Sequence, residues 1–157
     1  MAENPDPTRI VADVGVLAAD LCRDGPSRSA LDLIRSHSWL TLIVSEPLVG
    51  ETEAVVGSLT DETLATEWRQ KAETLGTCVE HPEGDHPALA CASHGNAAHV
   101  LTHDESLLTA SAGSAIKERV ECSFKRPDAF AELLSPAPFY EAVVGGSYDG
   151  PDRDPRE

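Results

Sequence analysis

Aromatic side chains are scarce in this chain of 157 residues, at 4%. The core must therefore be built from Val, Leu, Ile and Ala, and a hydrophobic content of 41% is enough for one ordinary domain. Lysine is also thin, with Lys71, Lys117 and Lys125 against nine arginines. No apolar run approaches the ~18 residues that a membrane span needs. Residues 1–9 are polar and carry two prolines, unlike a signal peptide, so a cytoplasmic protein without a membrane partner is expected. The four cysteines, Cys22, Cys78, Cys91 and Cys122, form no Cys-x-x-Cys pair. They are expected as buried small hydrophobes or free thiols rather than a disulfide framework. No Gly-x-Ser-x-Gly and no glycine-rich phosphate loop is present, which argues against elbow-type hydrolases and P-loop enzymes.

What is abundant is negative charge. Twenty-seven acidic residues face 12 basic ones, for a formal net charge of -15. Phosphate binding normally draws on Lys and Arg, so this balance opposes strong steering of nucleic acid in dilute buffer. Few lysines, many aspartates, and Ala, Val and Thr in place of bulkier residues fit a salt-rich, halophilic cytoplasm. There the Debye length falls to ~3 Å at molar salt and self-repulsion is screened.

Strand-like and helix-like segments alternate along the chain. Ile10 to Asp13 is a short apolar run ending in an acid, expected as a buried parallel strand. Residues 16–23 have helical spacing, and Asp24-Gly25-Pro26 breaks them. Ser27 is placed to cap a second helix with Ala30, Leu31 and Ile34 on its apolar stripe. Residues 40–44 are expected as a strand, followed by a helix entered through Ser45-Glu46-Pro47 and another over about 60–75. Short strands are expected at 77–80, 98–102 and 119–124, with helices after Asp85 and from Pro127. The alternation predicts an α/β fold, a three-layer α/β/α domain with a mostly parallel central sheet of about five strands. The expected limits are a polar extension over 1–8, the domain over 9–144 and an acidic, flexible tail over 145–157.

In such a sheet, ligands bind beyond the C-terminal ends of the strands. Asp13, Asp85 and Asp104 fall on that edge, and Glu51 sits on a helix from which a long side chain could reach it. Clustered carboxylates repel unless a cation intervenes. Mg²⁺ or Mn²⁺ prefers oxygen ligands, and a few carboxylates suffice to hold such an ion. A metal at a phosphodiester can orient water and stabilise charge, so acids alone can build a phosphate-cutting site. The plainer reading of Asp85 is a helix N-cap.

With Ile-Val-Ala-Asp13, Ser-Glu-Pro-Leu-Val-Gly-Glu51, Glu83-Gly84-Asp85 and Leu101-Thr102-His103-Asp104 in that order, the chain resembles, over about residues 9–134, the PIN-domain family of metal-dependent nucleases. Ile-Val-Ala-Asp13-Val-Gly-Val-Leu resembles that family's opening strand with its first acid. Ser-Glu-Pro-Leu-Val-Gly-Glu51 is similar to the helix presenting the second, and Glu83-Gly84-Asp85-His86-Pro87-Ala88-Leu89-Ala90 to the segment carrying the third. Leu101-Thr102-His103-Asp104-Glu105-Ser106-Leu107-Leu108 resembles the T-x-D-x-x-L-L segment with the fourth, and Ser123 to Leu134 the closing strand and helix. The resemblance implies a Mg²⁺- or Mn²⁺-dependent endoribonuclease. Asp13, Asp85 and Asp104 would bind the metal, and Glu51 would bind it or position the attacking water. It further implies RNA more often than DNA as substrate, often a toxin role with an antitoxin partner, and commonly a homodimer.

The family usually follows its first acid with Thr-Asn, whereas Val14-Gly15 follow Asp13 here. Polar side chains that would orient the metal site are thus missing, as outer-shell partners normally do. A second class of function therefore stands beside the nuclease: a PIN-like domain that has lost catalysis and binds nucleic acid or protein. Glu46 competes with Glu51 for the second acid, while Glu53, two residues on, points away on a helix. Histidines at 81, 86, 94, 99 and 103 match no zinc motif and are expected as scattered, hydrogen-bonded side chains. His86 and His103 flank two of the acids, where phosphate contact is conceivable. A phosphoacceptor signalling domain would want a late lysine after a strand, which Lys117 and Lys125 do not supply.

Overall fold

A computed structural model describes residues 6–22, 25–81, 87–105, 108, 123–133 and 135–153. The elements run β1 (Asp6–Ala12), α1 (Val14–Cys22), α2 (Pro26–Arg35), β2 (Thr41–Val44), α3 (Glu46–Leu59) and α4 (Glu62–Leu75). They continue as β3 (Thr77–Cys78), α5 (Pro87–His94), β4 (Ala97–Leu101), β5 (Ser123–Lys125), α6 (Pro127–Leu133) and α7 (Pro136–Val143). The five strands form one sheet in the order β3-β2-β1-β4-β5. Every neighbouring pair is parallel, and helices flank the sheet in a three-layer α/β/α fold. Among the described residues, no helix is long and apolar enough to cross a membrane.

The central strand is apolar without alternation because both its faces are covered. Ile10, Val11 and Ala12 are fully buried. Ile10 lies opposite Leu42 of β2 and His99 of β4, and Ala12 lies opposite Leu101. Aliphatic side chains fill the core as the composition requires, joined by Phe130 and by Trp68 of α4.

Local chemistry sets the helix starts. Ser45 caps α3 by accepting the Leu48 N–H at 3.3 Å, and Asp61 caps α4 by accepting the Leu64 N–H at 2.7 Å. Glu46 sits in the first turn of α3, where the helix dipole favours an acid. Ser27 does not have the capping role expected of it. Pro26 opens α2, Gly25 is the N-cap, and the Ser27 side chain is buried. At the turn from α5 into β4, a Cβ on Gly95 would meet Ile43 Cγ2 at 2.5 Å and the Cys91 carbonyl oxygen at 2.8 Å. Only glycine lets the chain pass so close to β2. Asn96 then takes a left-handed conformation, with φ 54°.

The strand limits differ from the sequence expectation in detail. β1 begins at Asp6, inside the expected extension, and ends at Ala12, so Asp13 is the first residue beyond it. β3 is two residues long. β5 is described from Ser123, and the expected start at 119 lies outside the described residues. A further helix, α7, follows α6.

From Gly145 the sequence composition predicted a flexible tail. Residues 145–153 instead run back to the end of α2, where the Asp152 and Arg153 amides both donate to the Ser36 carbonyl, at 2.9 and 3.2 Å. Asp152 accepts the Ser38 N–H at 2.7 Å and also its hydroxyl. The Tyr148 hydroxyl lies 2.6 Å from Nε2 of buried His37. Trp39 stacks on Phe139 and meets Tyr140 edge-on, so much of the small aromatic content is spent here.

Candidate functional site

The sheet order reverses at its centre. From β1 the chain moves outward through β2 and β3, then crosses to the other side of β1 to lay down β4 and β5. The crevice beyond the C-terminal ends of β1 and β4 is thus the topological switch point, where open parallel sheets bind ligands.

Asp13 stands on one side of that crevice. Its amide donates to the Leu101 carbonyl at 2.9 Å, extending the β1–β4 ladder by one residue, and its own carbonyl accepts the Val16 and Leu17 amides that open α1. The carboxylate is half-buried and oriented at both oxygens. Oδ1 accepts the Val14 N–H at 2.8 Å and Oδ2 accepts the Thr102 hydroxyl at 3.0 Å. Orientation of the first acid is thus supplied by a backbone amide and by a threonine from another strand. The apolar Val14 side chain makes no hydrogen bond here, and Gly15 has no side chain to make one.

Thr102 lies in the T-x-D segment of the sequence, which assigns it no role of its own. It is fully buried, and its amide donates to the Lys125 carbonyl at 2.9 Å. Its hydroxyl donates to Asp13 and accepts the Asp104 N–H at 3.0 Å. The bond to Asp104 is a local i, i+2 turn of the kind Ser and Thr favour, so the Thr-x-Asp spacing was its available signal. One buried hydroxyl therefore connects two acid-bearing residues from neighbouring strands.

Asp104 is exposed beyond β4. His103 beside it is exposed too, with Nε2 3.2 Å from the Ser27 hydroxyl at the start of α2. Glu105, next in the chain, is ion-paired with Arg126.

Glu51 is exposed on α3, whose buried face carries Leu48, Val49, Thr52 and Val56. Its rivals are committed elsewhere. Arg69 of α4 binds Glu46, Glu53 at 3.1 Å and Glu73 at 2.8 Å. Those carboxylates, led by Glu46, push the Arg69 pKa above its ordinary value. Asp85 and His86 lie outside the described residues. Asp13 and Asp104 thus follow neighbouring strands and are linked through Thr102, Glu51 is exposed on α3, and Asp85 lies outside the described residues.

The donor set suits a hard divalent cation. A carboxylate offers about four lone-pair sites, and Asp13 uses one hydrogen bond at each oxygen, so acceptor capacity remains. Among the described residues, no three His, Cys, Asp or Glu side chains are grouped so as to hold a metal ion. Asp13, Glu51 and Asp104 are all described and do not form such a group, and Asp85 lies outside the described residues.

The histidines do not make a rival centre among the described residues. His81 Nε2 lies 2.8 Å from the Ser45 hydroxyl, with its ring 6.3 Å from that of His94. Burial pushes the nearby Cys91 thiol up to about 11 despite a hydrogen bond with Ser45, which disfavours its thiolate at neutral pH. Cys78 and Cys91 are both free thiols.

A family model described as a family of unknown function (DUF7384) matches residues 4–156, a span that takes in both the Asp13–Asp104 crevice and the C-terminal segment. No curated protein and no solved structure gives a significant match. The likeness to PIN domains thus rests on the motifs quoted above.

Proposed function

The chain belongs to DUF7384, a family of unknown function, and we propose that it is a metal-dependent endoribonuclease of PIN type. One observation carries this reading: Asp13 and Asp104 flank the switch point of an all-parallel sheet and are tied together through Thr102. Asp13, Asp85 and Asp104 would hold Mg²⁺ or Mn²⁺, with Glu51 as a fourth acid. The bound ion supplies the positive charge that lets an RNA phosphodiester approach these carboxylates. The chain's own part is to orient the Asp13 carboxylate, through the Val14 amide and the Thr102 hydroxyl, and to hold the Asp104 backbone beside it. Arg69 draws Glu46 and Glu53 away and leaves Glu51 as the acid of α3 for this role. The toxin role, an antitoxin partner, pairing of two copies and a salt-rich cytoplasmic setting belong to the same proposal as its biological context.

A second reading, a domain of the same architecture that binds nucleic acid or protein without cutting, is favoured by the lack of a three-acid group among the described residues. One experiment separates the two. Labelled RNA is incubated in high KCl with Mn²⁺ and either the native chain or Asp104→Asn. Cleavage by the native chain that is lost in the variant, and lost on chelation, supports the nuclease. Equal cleavage by both proteins, or none by either, overturns it.

A further inference from the structure

Arg126 is the first residue beyond β5. In the β4–β5 register Leu101 lies opposite Lys125, so Arg126 and Thr102 both stand one residue past their strands. Adjacent strands are about 4.8 Å apart, which places the Arg126 backbone next to the residue that links Asp13 with Asp104. Its guanidinium reaches across to Glu105, the neighbour of Asp104. A cation therefore borders the acid edge in a chain where acids outnumber bases by more than two to one.

The other arginines with described side-chain partners near these helices are committed to the fold. Arg69 is shared by three carboxylates. Arg35 joins Asp20 and Asp32, and Arg28 donates to the Asp20 and Leu21 carbonyls at the end of α1. Arg126 differs from these. Its side chain is 52% exposed, its partner Glu105 is 70% exposed, and a single guanidinium nitrogen is engaged among the described residues. An exposed pair of this kind contributes little to stability, so it exchanges readily. Phosphate is a natural competitor for the Glu105 carboxylate, because it too accepts two parallel N–H bonds from an arginine fork.

We propose that Arg126 is the phosphate-binding residue of the acid edge, with Glu105 occupying its guanidinium until an RNA phosphate displaces it. This rests on the ribonuclease reading and names how that site takes hold of its substrate. Glu105 then acts as an internal competitor that weakens binding of RNA lacking further contacts.

The test measures binding of a short fluorescein-labelled single-stranded oligoribonucleotide by anisotropy across a KCl series, with Ca²⁺ in place of Mn²⁺ to limit cutting. Arg126→Ala should weaken binding about tenfold. It should also reduce the slope of log Kd against log[KCl] by about 0.7, one phosphate contact to a single strand. Arg126→Lys should fall between. Glu105→Gln should tighten binding by roughly twofold to fivefold, the gain from losing an exposed competitor. That gain should vanish in the Arg126→Ala background. Glu141→Gln, which removes one exposed acid of α7, controls for net charge. The inference is overturned if the native chain binds RNA and Arg126→Ala binds it with the same Kd and slope. It is also overturned if the Glu105→Gln gain survives without Arg126 or is matched by Glu141→Gln. A native chain that binds no RNA at all overturns the ribonuclease reading and this inference together.

Discussion

The Thr102 hydroxyl donates a 3.0 Å hydrogen bond to Asp13 across 89 residues of sequence, closing the crevice between β4 and β1 from beneath. The same oxygen accepts the Asp104 N–H. Thr102→Val keeps the shape and removes both bonds, the one donated to the Asp13 carboxylate and the one accepted from the Asp104 amide. The expected loss of stability is about 1–2 kcal/mol, read from denaturant unfolding at fixed KCl. If the edge is catalytic, RNA cleavage should fall roughly tenfold to a hundredfold, as when an outer-shell partner of a metal site is removed. Thr102→Ser should recover most of both. A Val variant that unfolds and cuts like the native chain would show that the bridge is incidental.

Asp20 and Arg35 form a two-armed pair between α1 and α2, at 2.7 and 2.6 Å, with Asp20 only 7% exposed. Burial opposes the charged guanidinium, but the hydrogen bonds it donates to Asp20 and Asp32 outweigh it and hold the Arg35 pKa above its ordinary value. Asp20→Ala leaves the cation with Asp32 alone and should cost about 2 kcal/mol. Replacing both residues, as Asp20→Leu with Arg35→Met, should recover much of that loss. Denaturant midpoints of the three proteins decide the matter: a double variant as weak as the single one would refute the argument.

His99 lies half-buried on β4, its ring edge-on to Phe130 with centroids 6.0 Å apart. Burial, with Lys125 adding to it, lowers its pKa to about 4. In the unfolded chain the imidazole takes up its proton near pH ~6.5, whereas in the folded chain it stays neutral until about pH 4. The unfolded state therefore gains protons first. Stability attributable to His99 is present above pH ~6.5 and declines as the pH falls towards about 4. Melting temperature should drop across that window in the native chain. His99→Leu should flatten this part of the profile, and an unchanged profile would exclude the assignment.

Gly95→Ala should overpack the α5–β4 turn, because the new methyl would collide with Ile43 and with the Cys91 carbonyl. A loss of about 2 kcal/mol is expected from forcing a methyl into a filled core. Gly15→Ala provides the contrast. No heavy atom stands within 4 Å of a Cβ there, and the residue is helical, so stability should hold or rise slightly. Equal midpoints for the two variants would contradict the packing account.

The elements whose cause is local were legible in the sequence. Leu42, Ile43 and Val44 form an apolar run too short for a helix, and they make β2. Ser45-Glu46-Pro47 carries a cap, an acid for the helix dipole and a first-turn proline, and α3 starts there. Long-range relationships were not legible. Which strand neighbours which depends on packing of the whole chain, so the reversal between β1 and β4 had no signature in either segment. Ser27 looked like a cap because capping is judged over four residues, whereas its hydroxyl meets His103, 76 positions away. The C-terminal segment has the composition of a tail, yet Tyr148 finds a partner in His37, 111 residues earlier. Asp13 and Asp104 could be placed on one edge from strand ends alone. The hydroxyl that joins them required coordinates.

The return of the chain to Ser36 and Ser38 has a practical consequence. These residues precede β2, so they mark the end of the parallel sheet opposite to Asp13 and Asp104. A tether or dye coupled at Ser38, beside Asp152, would sit at the pole remote from the acids. The chain could be immobilised there with its carboxylate crevice facing outward, open to a long polymer.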